Sequence, residues 1–435
     1  MTPLAEVQRL VLAACTPLEA VEVAAADAVG CTLAVEVVAG EAVPPWPNTA
    51  MDGIAVRAAD TPGRLRVVGH LPAGVDPSGM SVGPGEAIRI MTGAPMPAGA
   101  DAVVPVEDLA SVAAGNAGRA GAAGPGEPPV AEAPGGRAAL ATDGDATGSE
   151  EVEALIGVEP GRHVRPAGGD AAIGAVVLAA GAEVTPAAVG VLASLGQATC
   201  AVVRRARVGV LSTGDELVEG DGPLRPGQIR ESNRPALLAS VAAAGFTAVD
   251  LGIVGDDEAA IRTAIEGAAT VCDAVLTTGG VSMGDADYVK VVLDELSEGS
   301  FRWFQVAIRP AKPFAFGTVG GTPVFGLPGN PVSCLVSFEL FARPGIRRRM
   351  GFVAERLWRP LVRATAPSGL PRRPDGKLHL IRVGTTHQDG AWQVRERGSQ
   401  ASNALTAMAT ADGLALVPDG DGVAAGGSVN CWLLR

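Results

Sequence analysis

The chain has 435 residues, with 34 Lys+Arg against 47 Asp+Glu and a formal net charge of −13. At roughly 100–200 residues per domain this length calls for three or four domains, and 47% hydrophobic against 19% charged residues excludes wholesale disorder. Aromatic residues make up 3%, with a single Tyr, which argues against the stacking surfaces that bind single-stranded nucleic acid.

An acidic chain holds an anionic substrate only where Lys, Arg, helix N-termini or a metal reverse the local field. In chain order, residues 1–14 read as an amphipathic helix. Leu12-Ala13-Ala14-Cys15 has the outline of a lipoprotein cleavage box, but Glu6, Gln8 and Arg9 leave too short an apolar stretch for a signal core. Short β runs at 65–68 and 87–91 between Gly/Pro turns predict a small β module. Residues 111–150 are almost entirely Ala, Gly, Pro, Glu, Asp, Thr and Ser, and predict a flexible surface insertion. A strand at 175–179 and a helix at 187–195 then return to a compact body.

From Arg207 the pattern alternates. Runs at 208–211, 248–254 and 274–277 read as strands, with helices at 235–244, 257–268 and 287–296. Strands at 303–308 and 323–325 and a closing helix at 331–342 complete a parallel sheet covered on both faces, whose ligands belong at the carboxyl ends of the strands. Runs at 361–365, 378–383, 392–395 and 414–417 predict a separate β domain. No uncharged apolar run reaches the ~18 residues of a membrane span; the longest, 235–249, ends at Asp250. Six scattered cysteines without a C-x-x-C pair predict neither zinc knuckle nor disulfide framework, and place the chain in a reducing cytoplasm.

Three polar loops follow predicted strands: Ser212-Thr213-Gly214-Asp215-Glu216-Leu217, then 277–288 with Gly279-Gly280, Ser282, Asp285 and Asp287, then Gly326-Leu327-Pro328-Gly329-Asn330-Pro331. Their glycines admit close backbone approach to an anion, and Asn330-Pro331 is a cap plus first-turn pair that leaves a helix N-terminus open for phosphate. Each loop alone is an ordinary strand-to-helix turn; three at one sheet edge predict a site. Asp215, Glu216, Asp256, Asp285 and Asp287 are expected to converge there as hard oxygen ligands suited to Mg²⁺, while Asp285 and Asp256 serve equally well as helix caps. Arg309-Pro310-Ala311-Lys312-Pro313 sets two cations three apart between prolines, suited to an oxyanion or phosphate. In the β module, Pro47-Asn48-Thr49-Ala50-Met51-Asp52-Gly53 and Ile90-Met91-Thr92-Gly93-Ala94-Pro95 form a second candidate site, although Asp-Gly, like Gly168-Gly169-Asp170, is by itself a turn.

Together with Asn233-Arg234, Gly398-Ser399 and Ala411-Asp412-Gly413-Leu414, these segments resemble the molybdopterin molybdenumtransferase family, which includes the E domain of gephyrin. The resemblance covers nearly the whole chain outside 111–150. It implies an α/β multi-domain fold: an elongated N-terminal domain (1–45 and 171–205), an inserted β module (46–170), a central parallel-sheet molybdopterin-binding domain (206–348) and a C-terminal β domain (349–435). It further implies a homodimer in which the β module of one subunit meets the α/β domain of the other. The implied reaction transfers molybdate to adenylylated molybdopterin with release of AMP, assisted by Mg²⁺ at Asp215, Glu216 and Asp285. Asp52, Thr92, Asp170 and Glu216 take the catalytic positions. Ser212, Thr213, Gly214, Asp256, Gly279, Gly280, Ser282, Asp287, Arg309, Lys312, Pro328, Gly329, Asn330 and Ser399 take the binding positions. A molybdopterin adenylyltransferase and molybdoenzymes are the implied partners. Arg309 stands where the family more often has Lys, Ile54 where a Tyr usually follows, and Ala311 where Gly is usual.

Two other readings compete. Gly280-Val281-Ser282-Met283-Gly284 fits a nucleophile elbow, with Glu339, Asp375, His379 and His387 following in hydrolase order, but no HGGG-type loop precedes it and both histidines fall in the β domain. A non-catalytic pterin-binding paralogue is the other. His70, His163, His379 and His387 show no metal-ligand spacing and read as structural or surface residues.

Overall fold

The computed structural model describes residues 1–112, 150–280 and 288–435. Two compact units are present: Met1–Glu36, Ala179–Leu192 and Gln197–Arg435 form the first, Val37–Leu178 and Ala193–Gly196 the second.

In the second unit a six-stranded sheet runs Ala102–Pro105, Gly53–Val56, Glu86–Ile90, Gly63–Leu71, Glu150–Ala154, Leu109–Ser111. Apolar side chains cover both faces. Ile54 and Val56 join Leu65, Val104 and Val152 on one side, while Ala55 joins Leu71, Ile88, Ile90 and Val103 on the other, as the two-residue period of a strand requires. Gly53 opens the second strand of this sheet rather than making the expected turn: a Cβ there would lie 2.1 Å from Val104 O, so only glycine lets the strands meet. The insertion expected at 111–150 falls outside the described residues from 113 to 149. Its flanks lie on neighbouring antiparallel strands, with Val152 opposite Ser111.

The first unit holds the α/β domain: β1 (Arg207–Thr213), α1 (Asn233–Ala243), β2 (Thr247–Val254), α2 (Glu258–Val271), β3 (Ala274–Thr278), α3 (Tyr288–Leu296), β4 (Arg302–Gln305), β5 (Ile308–Arg309), β6 (Pro313–Val319), β7 (Thr322–Leu327) and α4 (Pro331–Ser337). The sheet order is β2-β1-β3-β7-β6-β4. Its first four strands are parallel, as expected, but β6 runs antiparallel to both β7 and β4. The reversal comes from Gly320-Gly321, both at positive φ (56° and 83°), which turn β6 directly into β7. Leu211, Val275 and Val324 pack on Ile261 and Ile265 of α2 and Val289, Val292 and Leu293 of α3. Helix α1 covers the opposite face with Leu237 and Val241. Asp257, not Asp256, caps α2, accepting the Ala260 N–H at 2.8 Å, because the helix begins at Glu258 and the cap must immediately precede it. Helix α4 does not stop at 342; it passes through a π turn, Phe338–Ala342, into Arg343–Arg349.

Strand β5 lies outside the α/β sheet and pairs parallel with Leu378–Gln388. That strand belongs to a C-terminal sheet, continued by Ala391–Glu396, Leu361–Ala366, Gly427–Leu433 and Gly413–Val417 and closed by pairing of the last with Leu378–Gln388. Alternate residues Ile381, Val383, Val394, Ala415 and Val429 fill the barrel. The N-terminal helix Leu4–Ala14 buries Val7 and Val11. Cys15 is fully buried beside it, and burial pushes its thiol up to about 12. The six cysteines are free and buried, and no described helix is long and apolar enough to cross a membrane.

Arg204, following the strand Thr199–Val203, grips Asp273 at the foot of β3 through two hydrogen bonds of 2.6 and 2.5 Å, and Asp273 also accepts the Arg207 N–H at 2.8 Å. Burial works to raise the Asp273 carboxyl, but these donors outweigh it and hold the group below its ordinary value. A depressed carboxylate contributes stability that is present above its unfolded pKa of about 3.9 and is lost as pH falls through the folded value. Asp273→Asn is therefore expected to cost roughly 1.5–3 kcal/mol at neutral pH, with the difference from wild type shrinking below about pH 4 in acid titrations followed by circular dichroism. A second expectation concerns the insertion. Replacing 113–149 by a short Gly-Asn turn should preserve the unit's melting temperature within a few degrees, because the flanking strands already pair; cooperative unfolding lost in the deletion would contradict it.

Candidate functional site

Strands β1, β3 and β7 end together at the carboxyl edge of the sheet. Gly279, at φ 94°, lies so close to β1 that a Cβ would stand 2.5 Å from Thr213 O. A Cβ on Gly329 would lie 3.8 Å from Gly279 Cα, so the loops after β3 and β7 touch. Gly214 passes under the Glu216 carboxylate, with 2.3 Å left for a Cβ, and donates to Val254 O. The sequence expectation of three glycine loops at one edge thus matches the geometry at Gly214, Gly279 and Gly329. Ser212 and Thr213 are buried, and their hydroxyls have no partner among the described residues. Pro328 is buried, whereas Gly329 and Asn330 are exposed.

Of the five carboxylates expected to converge, Asp215 and Asp256 meet: Asp215 Oδ1 accepts the Asp256 N–H at 3.0 Å. Asp215, Glu216 and Asp256 are exposed. Among the described residues no group of three or more His, Cys, Asp or Glu is placed to hold a metal. Ser282, Asp285 and Asp287 lie outside the described residues, as does most of the elbow-like motif. The helix N-terminus at Asn330-Pro331 is less open than expected, because the Val332 N–H donates to Ser402 O at 3.0 Å.

Beside this edge, Arg309, Lys312, Asn330, Ser333, Lys377 and Ser402 line a cavity of about 260 Å³. Arg309 also lines a neighbouring cavity of about 490 Å³ with Arg372, His379, Arg382 and Gln400. The rigid spacing of Arg309 and Lys312 comes from Ala311, which donates to Ser333 Oγ at 3.3 Å and sits at φ 69°. That is a left-handed conformation, which accounts for glycine being usual in the resembling family.

Arg382 was not among the residues singled out from the sequence. It is fully buried; Nη2 donates to Ser399 O (2.8 Å) and Ala401 O (3.1 Å), while Nε and Nη1 have no partner among the described residues. The available signal was a charge inside the apolar β run Leu380-Ile381-Arg382-Val383. Burial lowers its pKa, yet a guanidinium remains cationic near neutral pH. Ser399 is brought beside it, its Oγ accepting the Ala401 N–H at 3.3 Å. Asp375 accepts from Arg372 (2.7 Å) and Lys377 (2.9 Å) and contacts His379 Nε2 (3.1 Å), so Lys377, then His379, hold its carboxyl well below the ordinary range. His379, read from sequence as structural or surface, therefore lines the larger cavity, where burial pulls its own pKa down.

In the second unit Asp52 Oδ1 accepts both the N–H and the Oγ–H of Thr92, each at 2.7 Å, and these bonds, the backbone one foremost, hold the carboxyl below its ordinary value. Asp52 and Thr92 thus form one pair. Asp170 is exposed in a separate turn anchored to Val43 O through its N–H at 2.9 Å. Ile54 is fully buried in the apolar core under Asp52.

Comparison with known proteins matches three successive family descriptions: MoeA N-terminal region (domain I and II) at residues 2–196, probable molybdopterin binding domain at 209–348, and MoeA C-terminal region (domain IV) at 363–434. Molybdopterin molybdenumtransferase 2 of Mycobacterium tuberculosis is 38% identical over 450 residues, covering 99% of both chains. Molybdopterin molybdenumtransferase of Bacillus subtilis is 31% identical, covering 95% of this chain and 89% of its own. The crystal structure of the molybdopterin biosynthesis moeA protein from Pyrococcus horikoshii superposes with a TM-score of 0.76 at 26% identity over the whole of both chains. With such relatives matched from end to end, the chain belongs to the molybdopterin molybdenumtransferase family.

Proposed function

We propose that this chain, a transferase of molybdenum cofactor biosynthesis, moves molybdate into adenylylated molybdopterin and releases AMP. One observation carries the reading: within one compact unit, an edge built for close backbone approach adjoins cavities lined by Arg309, Lys312, Lys377 and Arg382, in a chain of net charge −13. Pterin phosphate, phosphoanhydride and molybdate are all anions, and this is where the field is locally reversed. The glycine loops accept the phosphates through backbone N–H groups. Arg309 and Lys312 receive the tetrahedral oxyanion, and the unpartnered N–H groups of Arg382 supply further donors at the floor of the cleft.

Water cleaves the phosphoanhydride, so that AMP and the pterin monophosphate separate, and the pterin's dithiol displaces one oxygen of molybdate, which leaves with the two thiol protons as water. Asp52, kept ionised by Thr92, is assigned with Asp170 and Glu216 to this reacting step. Asp215 and Glu216, exposed oxygen donors at the end of β1, suit Mg²⁺, which keeps several waters and needs few protein ligands. Bound there, the ion would neutralise phosphate oxygens during cleavage. The working assembly is proposed as a homodimer that receives its pterin from an adenylyltransferase and passes its product to molybdoenzymes. Nothing in the comparisons supports the hydrolase reading.

The deciding assay combines the protein with adenylylated molybdopterin, molybdate and Mg²⁺, measuring AMP and reconstitution of a cofactor-free molybdoenzyme; absence of both overturns the reading. Asp52→Ala should lower kcat at least about tenfold while KM stays within about twofold, the pattern of an interaction made in the transition state. Arg309→Lys should stay near wild type, whereas Arg309→Ala should raise KM for molybdate roughly tenfold, about 1.4 kcal/mol.

A further inference from the structure

The ladder between β3 and β7 ends at the pair Thr278 and Leu327. Beyond it lie Gly279-Gly280 and Pro328-Gly329, which have no polar side chain to hold one loop to the other. Among the described residues, the Asn233 side chain reaches both sides of that gap. Asn233, the first residue of α1, donates from Nδ2 to Thr278 Oγ1 at 2.8 Å and to Gly329 O at 2.7 Å. A backbone carbonyl only accepts, so the amide nitrogen must face Gly329, which settles the orientation of the group. Thr278, having accepted, is left to direct its own proton toward Pro328 O at 3.4 Å.

The strap is itself held. Glu231 Oε1 accepts the N–H groups of Asn233 (2.6 Å) and Arg234 (3.0 Å), fixing the start of α1, and Arg234 is paired with Asp250 and Glu219. In a trans peptide C=O and N–H point in opposite directions. Drawing the Gly329 carbonyl inward to Asn233 therefore turns the Asn330 N–H outward. That N–H has no partner among the described residues, and Asn330 lines the cavity with Lys312 and Lys377.

We infer that Asn233 is a positioning residue: it holds the two glycine loops at their working separation and aims the Asn330 amide at the anionic substrate. The inference deepens, and rests on, the functional reading given above. A backbone donor aimed in this way binds ground state and transition state alike, so its loss raises KM and spares kcat.

The test uses the full chain with Asn233→Asp, which keeps the shape but loses both donated hydrogens. Amide exchange at 279–280 and 329 should quicken roughly tenfold, as expected for two neutral hydrogen bonds, with the C-terminal barrel unaffected. KM for adenylylated molybdopterin should rise by about the same factor, with kcat within about twofold. Thr278→Ser, which retains the acceptor, should behave as wild type, and Thr278→Val should show a smaller KM rise; this pair decides the question if Asn233→Asp does not fold. Unchanged exchange and KM in a folded variant, or a fall in kcat at constant KM, would overturn the inference. Failure of the wild type to form AMP would overturn the functional reading instead, since exchange at the loops tests the strap without turnover.

Discussion

Ile308 and Arg309, between β4 and β6 of the α/β sheet in the chain, pair with Leu378 and His379 of the C-terminal barrel, and the basic cavities depend on this short ladder. Without it Arg309 and Lys312 would belong to one domain, and Lys377 and Arg382 to another, with no reason to share a surface. Pairing backbone to backbone sets their spacing more firmly than side-chain contacts could, because the short strand follows β4 and precedes β6, both fixed in the α/β sheet. Like charges gathered so closely repel one another. Asp375 offsets part of that repulsion by accepting from Arg372, Lys377 and His379.

The same logic of fixed backbone runs through the sheet edge. Gly279 and Gly53 are required where two segments approach closer than a Cβ permits, and of the two only Gly279 stands at positive φ. What these positions give up in unfolded-state entropy they return as a surface on which backbone donors are uncovered. Buried hydroxyls at Ser212 and Thr213, left without partners among the described residues, show how much polar capacity is concentrated there. Such groups are costly in an ordinary core, which distinguishes this end of the sheet from the opposite end, where Asp273 is fully engaged by Arg204 and Arg207.

Ala311 and Ile54 illustrate how the chain accommodates its differences from the resembling family. At Ala311 a side chain is carried in a left-handed conformation, secured by Ser333, so the turn survives with alanine. Ile54 is enclosed by apolar neighbours and needs no hydroxyl partner. Neither change disturbs Asp52 and Thr92 or the pair of cations that flanks Ala311.

The sequence by itself determined the alternation of β and α from Arg207 onward, the C-terminal β domain, the glycine loops and the Arg309/Lys312 pair, because local periodicity, turn residues and charge spacing are properties of neighbouring residues. It also carried the family, through motifs spread along the chain. It did not determine β6, which the expected strands at 303–308 and 323–325 leave out and which returns antiparallel, since a strand's direction is set by its partners, nor that Asp257 rather than Asp256 caps α2, since adjacent aspartates differ only in where the helix starts. Arg382 and Lys377 were invisible as site residues, and Asn233 was visible only as part of a family motif without a role, for a stronger reason. Their roles come from partners far away in the chain, Asn233 from Thr278 and Gly329, Arg382 from a barrel that closes only when Leu378–Gln388 meets Gly413–Val417. Only the tertiary structure decides which buried charge lacks a partner and which amide bridges two loops, because burial and hydrogen-bond satisfaction are properties of the packed chain.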